Sequence, residues 1–526
     1  MESVLYRSIE HRLLRLFDEA LQALKGGAVG LEKESLRVSP DGSIAQTKHP
    51  RALGAALSNS YITTDYSEAL AELITPPMAS GSEALAFLGD VQKFVYDRLE
   101  DEILWATSMP CVLAGGDNIP IARYGTSNAG TMKTVYRRGL GHRYGRTMQV
   151  IAGVHFNFSL EESFWPLFQA LEGDKRSLRQ FTDDAYLGMT RNLQRFGWLI
   201  PYLFGASPAV CKSFLGGKSS SLDSFDEYTY YEPYATSLRM GDIGYTNSKE
   251  EGVGIKADYN SLDAYIDSLT RAIETPSRIW QEIGVKVGGR YEQLNANLLQ
   301  IENEYYSTVR PKQVLEGLEK PTLGLKARGV RYIELRSLDV NAFHPLGMSE
   351  EQLAFLKVFM LFCLLLDSPP IDSRERVEID RNLVSTAHRG RDPALTLQRQ
   401  GKQVSLGEWA TEVCAAMVPI GELLDGDDRH RPYAQALAQQ LACVKDPDLT
   451  PSARMLAEMR SQGESFFHFA QRMSLQHHDY FRNLQLASER EIFFLGEAEA
   501  SLLQQAAIEA ADKISFDQFL VNYFAQ

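Results

Sequence analysis

The chain lacks the sequence features of secreted proteins and of proteins stabilised by a structural metal ion. Its 526 residues include only five cysteines, which are odd in number, widely spaced and never arranged as C-x-x-C. That usage fits reduced thiols in a cytosolic protein better than a disulfide framework or a zinc site. Acidic residues at positions 2, 10, 18 and 19 interrupt any apolar run near the start, so we expect no secretory signal peptide.

Long apolar runs and an excess of basic residues are also missing. The longest apolar stretch, residues 358–366, is too short to cross a bilayer and predicts a buried helix. The chain has 54 Lys and Arg against 68 Asp and Glu, and its net charge of −14 argues against a nucleic-acid backbone as partner. Hydrophobic content of 44% and charged content of 23% are those of a globular protein. We therefore expect neither membrane nor nucleic acid as a partner.

The most informative feature that is present is a strand pattern with carboxylates at residues 29–38. Side chains alternate faces along a strand, so Glu32 and Glu34 share one face while Lys33 and Ser35 lie on the other. Two carboxylates this close repel each other, and a divalent ion such as Mg²⁺ or Mn²⁺ is the usual partner for such hard oxygen ligands. The alternative is a solvated edge strand, where charge prevents aggregation.

The same period-two pattern recurs in four other segments. Each places functional groups where a solvated strand more often carries Lys, Thr or Ser. The segments are residues 68–75 with Glu72, 148–158 with Gln149 and His155, 293–298 with three amides, and 331–338 with Glu334 and Arg336. A single sheet that collects these groups on one face would line a polar, metal-binding cavity.

These patterns predict an α+β protein: a curved antiparallel sheet forming a funnel-shaped active site, with helices outside and a helical C-terminal third. Helical periodicity covers residues 5–25, 83–103, 350–367, 405–425, 432–444, 450–473 and 486–512. Residues 108–147 are turn-rich, and we predict an ordered loop there. We find no repeat and no clear linker. The chain is therefore interpreted as one catalytic unit, residues 1–526, with a sheet-centred core at 1–345 and helices at 346–526 packed on it.

Asp65, Glu68 and Glu72 allow two interpretations that the sequence leaves open. If a strand follows the turn near residue 64, Asp65 and Glu72 flank the same metals as Glu32 and Glu34. Otherwise the three acids are a helix cap and surface charge.

Eleven short segments together resemble one family, the proteobacterial type of glutamate–cysteine ligase, which catalyses the first step of glutathione synthesis. They occur in family-like order over roughly residues 25–345, and the C-terminal third matches more loosely. The segments are residues 30–38, 61–76, 108–111, 124–128, 153–155, 196–198, 201–208, 234–239, 244–247, 299–304 and 332–339.

The resemblance implies a fold like that of glutamine synthetase and an ATP-dependent reaction in the cytoplasm. In that reaction the γ-carboxylate of L-glutamate forms an acyl phosphate, and the amine of L-cysteine attacks it to give γ-glutamylcysteine, ADP and phosphate. The implied cofactors are ATP and Mg²⁺ or Mn²⁺. Feedback inhibition by glutathione is a further expectation that the sequence leaves open.

The resemblance also implies roles for individual residues, carried over by position. The implied metal ligands are Glu32, Glu34, Asp65, Glu72, His155 and Glu334. Arg137 and Arg336 match arginines that act on the transferred phosphate, and Arg239 matches one that holds the α-carboxylate of glutamate. Tyr136, Leu140, Gln149, Tyr245 and Tyr306 match the cysteine pocket, although half-buried structural tyrosines are an alternative. Lys33 and Ser35 depart from the family pattern.

Other functions remain open at this point. A related ligase could couple glutamate to a different amine, a metal-dependent hydrolase could use the same carboxylates, and a regulator could keep the cavity without catalysis. The complete set of acids, His155 and the arginines argues against the regulator. Arginines placed for phosphoryl transfer favour a ligase over a hydrolase.

Overall fold

The computed structural model describes residues 6–217, 220–244 and 256–526, and a seven-stranded antiparallel sheet lies at its centre. The strand order is β11-β12-β5-β1-β3-β2, and β4 pairs with the end of β1. The strands of this sheet are β1 Ala28–Val38, β2 Ile62–Thr64, β3 Leu70–Ile74, β4 Ile103–Leu104, β5 Val154–Ser159, β11 Val309–Lys312 and β12 Tyr332–Leu338. The smaller strands are β6 Ala209–Cys211, β7 Asp223–Ser224, β8 Thr229–Tyr231, β9 Lys286–Val287, β10 Arg290–Tyr291, β13 Thr396–Arg399 and β14 Lys402–Ser405.

Helices cover the outer face of the sheet and make up most of the remainder. α3 packs on β1 and β3, and α6 packs on β11 and β12. The helices up to residue 328 are α1 Arg7–Arg15, α2 Asp18–Lys25, α3 Gly81–Tyr96, α4 Asn128–Tyr144, α5 Phe164–Glu172, α6 Leu178–Arg195, α7 Leu199–Phe204, α8 Leu262–Glu274, α9 Arg278–Gln281 and α10 Pro321–Arg328. Those that follow are α11 Glu350–Leu365, α12 Ser373–Arg389, α13 Leu406–Asp425, α14 Pro432–Lys445, α15 Pro451–Gln462, α16 Phe466–Asn483, α17 Ser488–Ala511 and α18 Phe516–Phe524.

β1 shows why the carboxylates face inward. Its outer face is sealed by helices: Leu31 and Ser35 are fully buried, and Lys33 donates a hydrogen bond to Gln92 of α3 at 2.8 Å. Alternation along the strand then directs Glu32 and Glu34 to the concave face. The two positions that depart from the family pattern, Lys33 and Ser35, therefore lie on the side of the sheet away from the cavity.

The predicted fold class is confirmed, and four of the five predicted strand segments contain a strand of the central sheet. In the segment 148–158 only the second half is a strand, β5. The strand predicted at 293–298 is wrong. Its amides are used in local and tertiary bonds: Asn295 donates to the carbonyl of Gln300, and Asn297 donates to the carbonyl of Ile273. Side chains of this type compete with sheet ladders for backbone groups.

The loop predicted across 108–147 is also wrong in its second half, which forms α4. The glycines in this segment favoured the prediction of a loop, because glycine has a low helix propensity. A side chain at Gly139 would overlap the amide of Gln300, and one at Gly141 would overlap the hydroxyl of Tyr66. These glycines permit close packing of α4 against its neighbours. The helices predicted at 5–25 and 450–473 each divide in two, the second at Gly463, whose φ of +65° ends α15.

The prediction of five reduced thiols is wrong for two of them. Cys111 and Cys211 form a disulfide between the segment before α4 and β6, across 100 residues of sequence. Cys363, Cys414 and Cys443 are free and buried. Wide spacing in the sequence did not reveal that the fold brings two of these residues together. Within the described part of the chain, no helix combines the length and the apolar character needed to cross a membrane.

We expect each single Cys→Ser change to leave turnover in place, because none of the described residues that line the central cavity is a cysteine. Cys111→Ser and Cys211→Ser should lower the free energy of unfolding by about 2–4 kcal/mol through loss of the cross-link. Denaturant unfolding and steady-state rates, with and without dithiothreitol, measure both effects. Loss of turnover in a folded Cys variant would indicate a thiol nucleophile and contradict the acyl-phosphate route.

Candidate active site

One cavity of about 700 Å³ opens on the concave face of the sheet. It brings together residues that are up to 491 positions apart in the sequence, from Glu32 of β1 to Tyr523 of α18. Twelve residues singled out from the sequence line it: Glu32, Glu34, Asp65, Glu72, Tyr136, Arg137, Leu140, Gln149, His155, Tyr306, Glu334 and Arg336.

The strand register places the acidic groups beside one another. Glu32 of β1 lies opposite His155 of β5, and Glu34 lies opposite Glu72 of β3. On the other side of β5, Glu334 of β12 lies opposite Asn157. Like charges directly across a strand pair destabilise a sheet. The Glu34–Glu72 pair is therefore costly unless a cation lies between or beside the two carboxylates.

Ligand atoms of Glu32, Glu72 and His155 lie within 4.8 Å of one another, as a shared metal ion requires. His155 Nδ1 is 3.0 Å from Glu32 Oε2, and its Nε2 is 3.9 Å from Glu34 Oε1. When Nδ1 carries the proton and donates to Glu32, Nε2 keeps a lone pair for a metal. Among the described residues, nothing hydrogen-bonds to the buried Oε2 of Glu334. This donor set of carboxylate oxygens and one imidazole fits Mg²⁺ or Mn²⁺.

The carboxyl groups are held at different pKa values by their surroundings. Burial, with repulsion from Glu32, Asp65 and Glu34, raises the pKa of Glu72 well above its ordinary value. Burial also raises the pKa of Glu34. For Glu334 burial acts in the same direction, but the charges of Lys312 and Arg336 outweigh it and hold its pKa well below the usual range. The two ends of the acidic cluster therefore differ. Around Glu72 the charges of neighbouring carboxylates predominate, whereas Glu334 is already paired with Lys312 and Arg336.

Two arginines, Arg137 and Arg336, line this cavity. Arg336 lies two residues after Glu334 on β12, with Nη1 3.2 Å from Glu334 Oε1. Arg137 lies on α4, where its Nε donates to the carbonyl of Asp65 and its guanidinium stacks over the ring of Tyr124 at 4.6 Å. These contacts hold both guanidinium groups in place. Such fixed, charged donors are suited to binding phosphate oxygens.

Arg239 lies behind the cavity wall rather than in its lining. It is fully buried in a short 3₁₀ segment, where its Nη2 donates to the carbonyl of Arg336 at 3.0 Å. Its Nη1 is 3.7 Å from the carboxylate of Asp339. Gly153 makes room for it, since a Cβ there would overlap the guanidinium. Arg239 thus adjoins the strand that carries Arg336.

The candidates for an acceptor pocket lie on α4 and the segments facing it. Gln149 and Tyr306 bond to each other: Gln149 Nε2 donates to the Tyr306 hydroxyl at 2.6 Å, and that hydroxyl is 2.8 Å from Gln149 Oε1. Tyr136 and Leu140 follow each other on one face of α4. Tyr245 lies outside the described residues.

Several residues that line the cavity were not predicted from the sequence. Lys133 lies four residues before Arg137 on α4, and Arg310 and Lys312 alternate with apolar residues on β11, so helical and strand periodicity could have found them. Glu68, by contrast, accepts hydrogen bonds from the backbone N–H groups of His49 and Arg123, which is a structural role. The helical C-terminal third also contributes to the wall, through Gln504, Ile508 and Tyr523.

A concave antiparallel sheet with carboxylates, an imidazole and one guanidinium group, together with a second guanidinium group on α4, defines an enzyme suited to phosphoryl transfer. The family model of glutamate–cysteine ligase matches residues 13–386. A glutamate–cysteine ligase from Alcanivorax borkumensis is 46% identical over 524 residues, 98% of this chain and 99% of that protein. One from Pseudomonas paraeruginosa is 47% identical over 94% of each chain. The chain belongs to the glutamate–cysteine ligase family, and it is a ligase.

Solved structures agree with this assignment. A glutamate–cysteine ligase from Francisella tularensis in complex with AMP has a TM-score of 0.89 and 34% identity, over 95% of this chain and 98% of that one. A bifunctional glutathione synthetase from Pasteurella multocida has a TM-score of 0.70 and 24% identity, over 92% of this chain and 56% of that one. The second comparison shows a shared fold only.

Proposed function

We propose that the central cavity joins the γ-carboxylate of L-glutamate to the amine of L-cysteine through γ-glutamyl phosphate. The enzyme is an ATP-dependent glutamate–cysteine ligase, and its product γ-glutamylcysteine is the first intermediate of glutathione biosynthesis. The observation that carries the assignment of this reaction to the cavity is the combination of clustered carboxylates with Arg137 and Arg336 in one space. Two anions, a carboxylate and a phosphate, must meet there, and only strong charge neutralisation allows that encounter.

The chain's own residues would divide the work as follows. Arg336 and Arg137, which line the same cavity, bind oxygens of the transferred phosphoryl group and stabilise its charge during transfer. The family resemblance assigns the α-carboxylate of glutamate to Arg239, which lies directly behind the lining beside Arg336; glutamate bound at that part of the wall would direct its γ-carboxylate toward the phosphate. Tyr136, Leu140, Gln149 and Tyr306, with Tyr245, orient the cysteine amine for attack on the acyl phosphate.

Mg²⁺ or Mn²⁺ completes this proposal. Glu32, Glu34, Asp65, Glu72, His155 and Glu334 would hold the ions. When bound, such ions neutralise phosphate oxygens and polarise the γ-phosphoryl group. The convergence of Glu32, Glu72 and His155, and the hydrogen-bond capacity left at Glu334 Oε2 by the described residues, support the assignment.

Metal binding should release a proton from Glu72. Its raised pKa means that the metal-free carboxyl keeps a proton at pH values where an ordinary glutamate is ionised, and coordination requires the ionised form. The apparent affinity for Mg²⁺ should therefore increase as pH rises. Calorimetric titration in phosphate and in Tris, which differ in ionisation enthalpy, measures the released proton. Heats that are the same in both buffers would contradict this expectation, and Glu72→Gln should reduce the buffer dependence, with the remainder coming from Glu34.

Acceptor choice should follow from an apolar, aromatic pocket that suits a thiol, a weak hydrogen-bonder. We expect 2-aminobutyrate, which replaces the thiol with a methyl group, to be a poorer substrate than cysteine, and serine to be worse because its hydroxyl loses hydration. Tyr306→Ala should raise the KM for cysteine more than the KM for ATP or glutamate. Tyr228→Ala, at a tyrosine that is 61% exposed, is the control. If a diamine were preferred to cysteine, the assignment of cysteine as the acceptor would be wrong. The acyl-phosphate chemistry would still stand.

The reaction itself is tested by measuring ADP release from ATP and glutamate with and without cysteine. Strict dependence on cysteine, with γ-glutamylcysteine detected by mass spectrometry, supports the proposal. ADP release without glutamate or an amine would indicate a hydrolase, and release that needs another amine would indicate a related ligase.

Three wider expectations also belong to this proposal. The whole chain acts as one catalytic unit, since one buried apolar cluster extends from Tyr6 to Phe494 and C-terminal residues line the cavity. The enzyme works in the cytoplasm, which cell fractionation can check. Glutathione, as the pathway's end product, inhibits it, and initial rates with and without glutathione test this.

A further inference from the structure

The N-terminal end of α4 is hydrogen-bonded to residues 509–514, near the C-terminus of the chain. The carboxylate of Asp512 accepts the backbone N–H of Asn128, the first residue of α4. Asn128 in turn donates from Nδ2 to the carbonyl of Ile514 at 3.1 Å. One turn earlier in α17, Glu509 accepts the backbone N–H of Thr126 at 2.8 Å. Three polar bonds thus join segments that are more than 380 residues apart.

An apolar contact adjoins these bonds. Met132 and Val135 of α4 form a buried cluster with Leu520 and Tyr523 of α18, separate from the main core. The C-terminal end of α18 is fixed as well, because Lys320 Nζ donates to the carbonyl of Phe524 at 3.1 Å. α18 therefore packs on α4, the helix that carries the cavity residues, while its C-terminal end is held by Lys320, the residue before α10.

We propose that residues 509–524, here called the C-terminal clamp, position α4 for the ligase reaction. The inference rests on the proposed function of the cavity. A carboxylate at a helix N-terminus satisfies a free N–H group and complements the helix dipole, so Asp512 both orients and stabilises the first turn of α4. Tyr136 and Arg137 lie on that helix, about two turns further on. Asp512 is a positioning residue, since it acts on the reaction through α4.

The clamp should act unequally on the three substrates. Arg137 and Tyr136, assigned to the phosphoryl group and to cysteine, are on α4. Arg239, assigned to glutamate, is held by the carbonyl of Arg336 and by Asp339, which belong to other elements. Loosening α4 should therefore impair turnover and cysteine binding and spare glutamate binding. A merely structural role would not produce this difference.

Asp512→Ala tests the proposal in the full-length enzyme. We expect kcat to fall on the order of tenfold, since small misplacements of reacting groups cost up to about 10²-fold. The KM for cysteine should rise while the KM for glutamate stays within about twofold, as no group assigned to glutamate moves. Asp512→Asn keeps an acceptor oxygen and should recover most of kcat. Glu499→Ala, at an exposed acid on α17, the helix that Asp512 follows, is the matched control and should behave as wild type.

Hydrogen–deuterium exchange gives a second readout that needs no turnover. In Asp512→Ala, peptides from residues 124–144 should exchange faster than in wild type, and peptides of the central sheet should not. Leu520→Ala, which removes only an apolar contact, should reproduce both the exchange and the kinetic pattern. Unchanged exchange in α4, or equal changes in all KM values, would overturn the clamp. Absence of γ-glutamylcysteine with the wild-type enzyme would overturn the proposed function instead, so the two failures are distinguishable.

Discussion

Glu334→Gln should lower turnover by about 10²-fold or more, the usual cost of removing one preorganised electrostatic group. The change removes a charge and almost no volume, and it takes away an oxygen, Oε2, that has no hydrogen-bond partner among the described residues. Steady-state rates at saturating Mg²⁺ measure the effect. Glu316→Gln, at a side chain that is 79% exposed, is the control. Near-normal turnover at saturating metal would remove Glu334 from the ligand set.

The effect of this change on stability has a definite sign. Lys312 and Arg336 hold the pKa of Glu334 below its ordinary value, so its ionised form stabilises the fold above the unfolded-state pKa and that contribution disappears as pH falls. Glu334→Gln should therefore destabilise the metal-free protein at neutral pH. Glu72 has a raised pKa, so its ionisation is destabilising, and Glu72→Gln should raise metal-free stability as pH increases. Denaturant titrations of both variants at pH 6 and 8, with a chelator, compare these opposite signs.

Arg336→Lys should lower turnover by about 10²-fold while the KM for glutamate changes much less, because the loss is expected in the transition state. Lysine keeps the positive charge but loses the planar fork that binds two phosphate oxygens. The lysine side chain would also lose the ion pair in which Arg336 Nη1 lies 3.2 Å from Glu334 Oε1. Initial rates at varied glutamate separate kcat from KM.

Arg331→Lys is the matched control for that measurement, since Arg331 lies just before β12, is exposed and pairs with Glu162. It should leave both constants unchanged. If Arg336→Lys instead weakened glutamate binding alone, Arg336 would belong to the glutamate site. The phosphoryl role would then pass to Arg137 or to the nearby cations of β11.

The alternation of side chains along a strand was enough to predict which face of β1 and β12 bears the functional residues. Glu32 and Glu34, and likewise Glu334 and Arg336, alternate with residues that are buried against helices, and burial enforces that alternation. The helices of the C-terminal third were predictable for a similar reason, since long apolar periods survive in helices that pack on one side. That alternation could not show which strands are neighbours. Pairings such as Glu34 with Glu72 depend on register between distant segments.

Prediction failed where side chains, not periodicity, decide the backbone. α4 was hidden because Gly139 and Gly141 lower its helix propensity while allowing contacts with Gln300 and Tyr66 that exist only in the folded state. The amides at 293–298 alternate like a strand, but Gln293 accepts hydrogen bonds from the guanidinium of Arg143 instead of lining a sheet. In both cases tertiary contacts outweigh a weak local preference.

The sequence by itself determined the chemical inventory of this protein: paired carboxylates, a histidine and arginines at strand spacing, an acidic net charge and the motifs of one enzyme family. These are local properties, set by residue identity and by the two-residue repeat of a strand. Only the tertiary structure decided which groups meet. It brought Glu72 opposite Glu34, joined Cys111 to Cys211, placed Arg239 behind Arg336 and set the C-terminal helices against α4. Such contacts depend on how the whole chain packs, because burial and long-range hydrogen bonds, unlike periodicity, have no signature within a single segment.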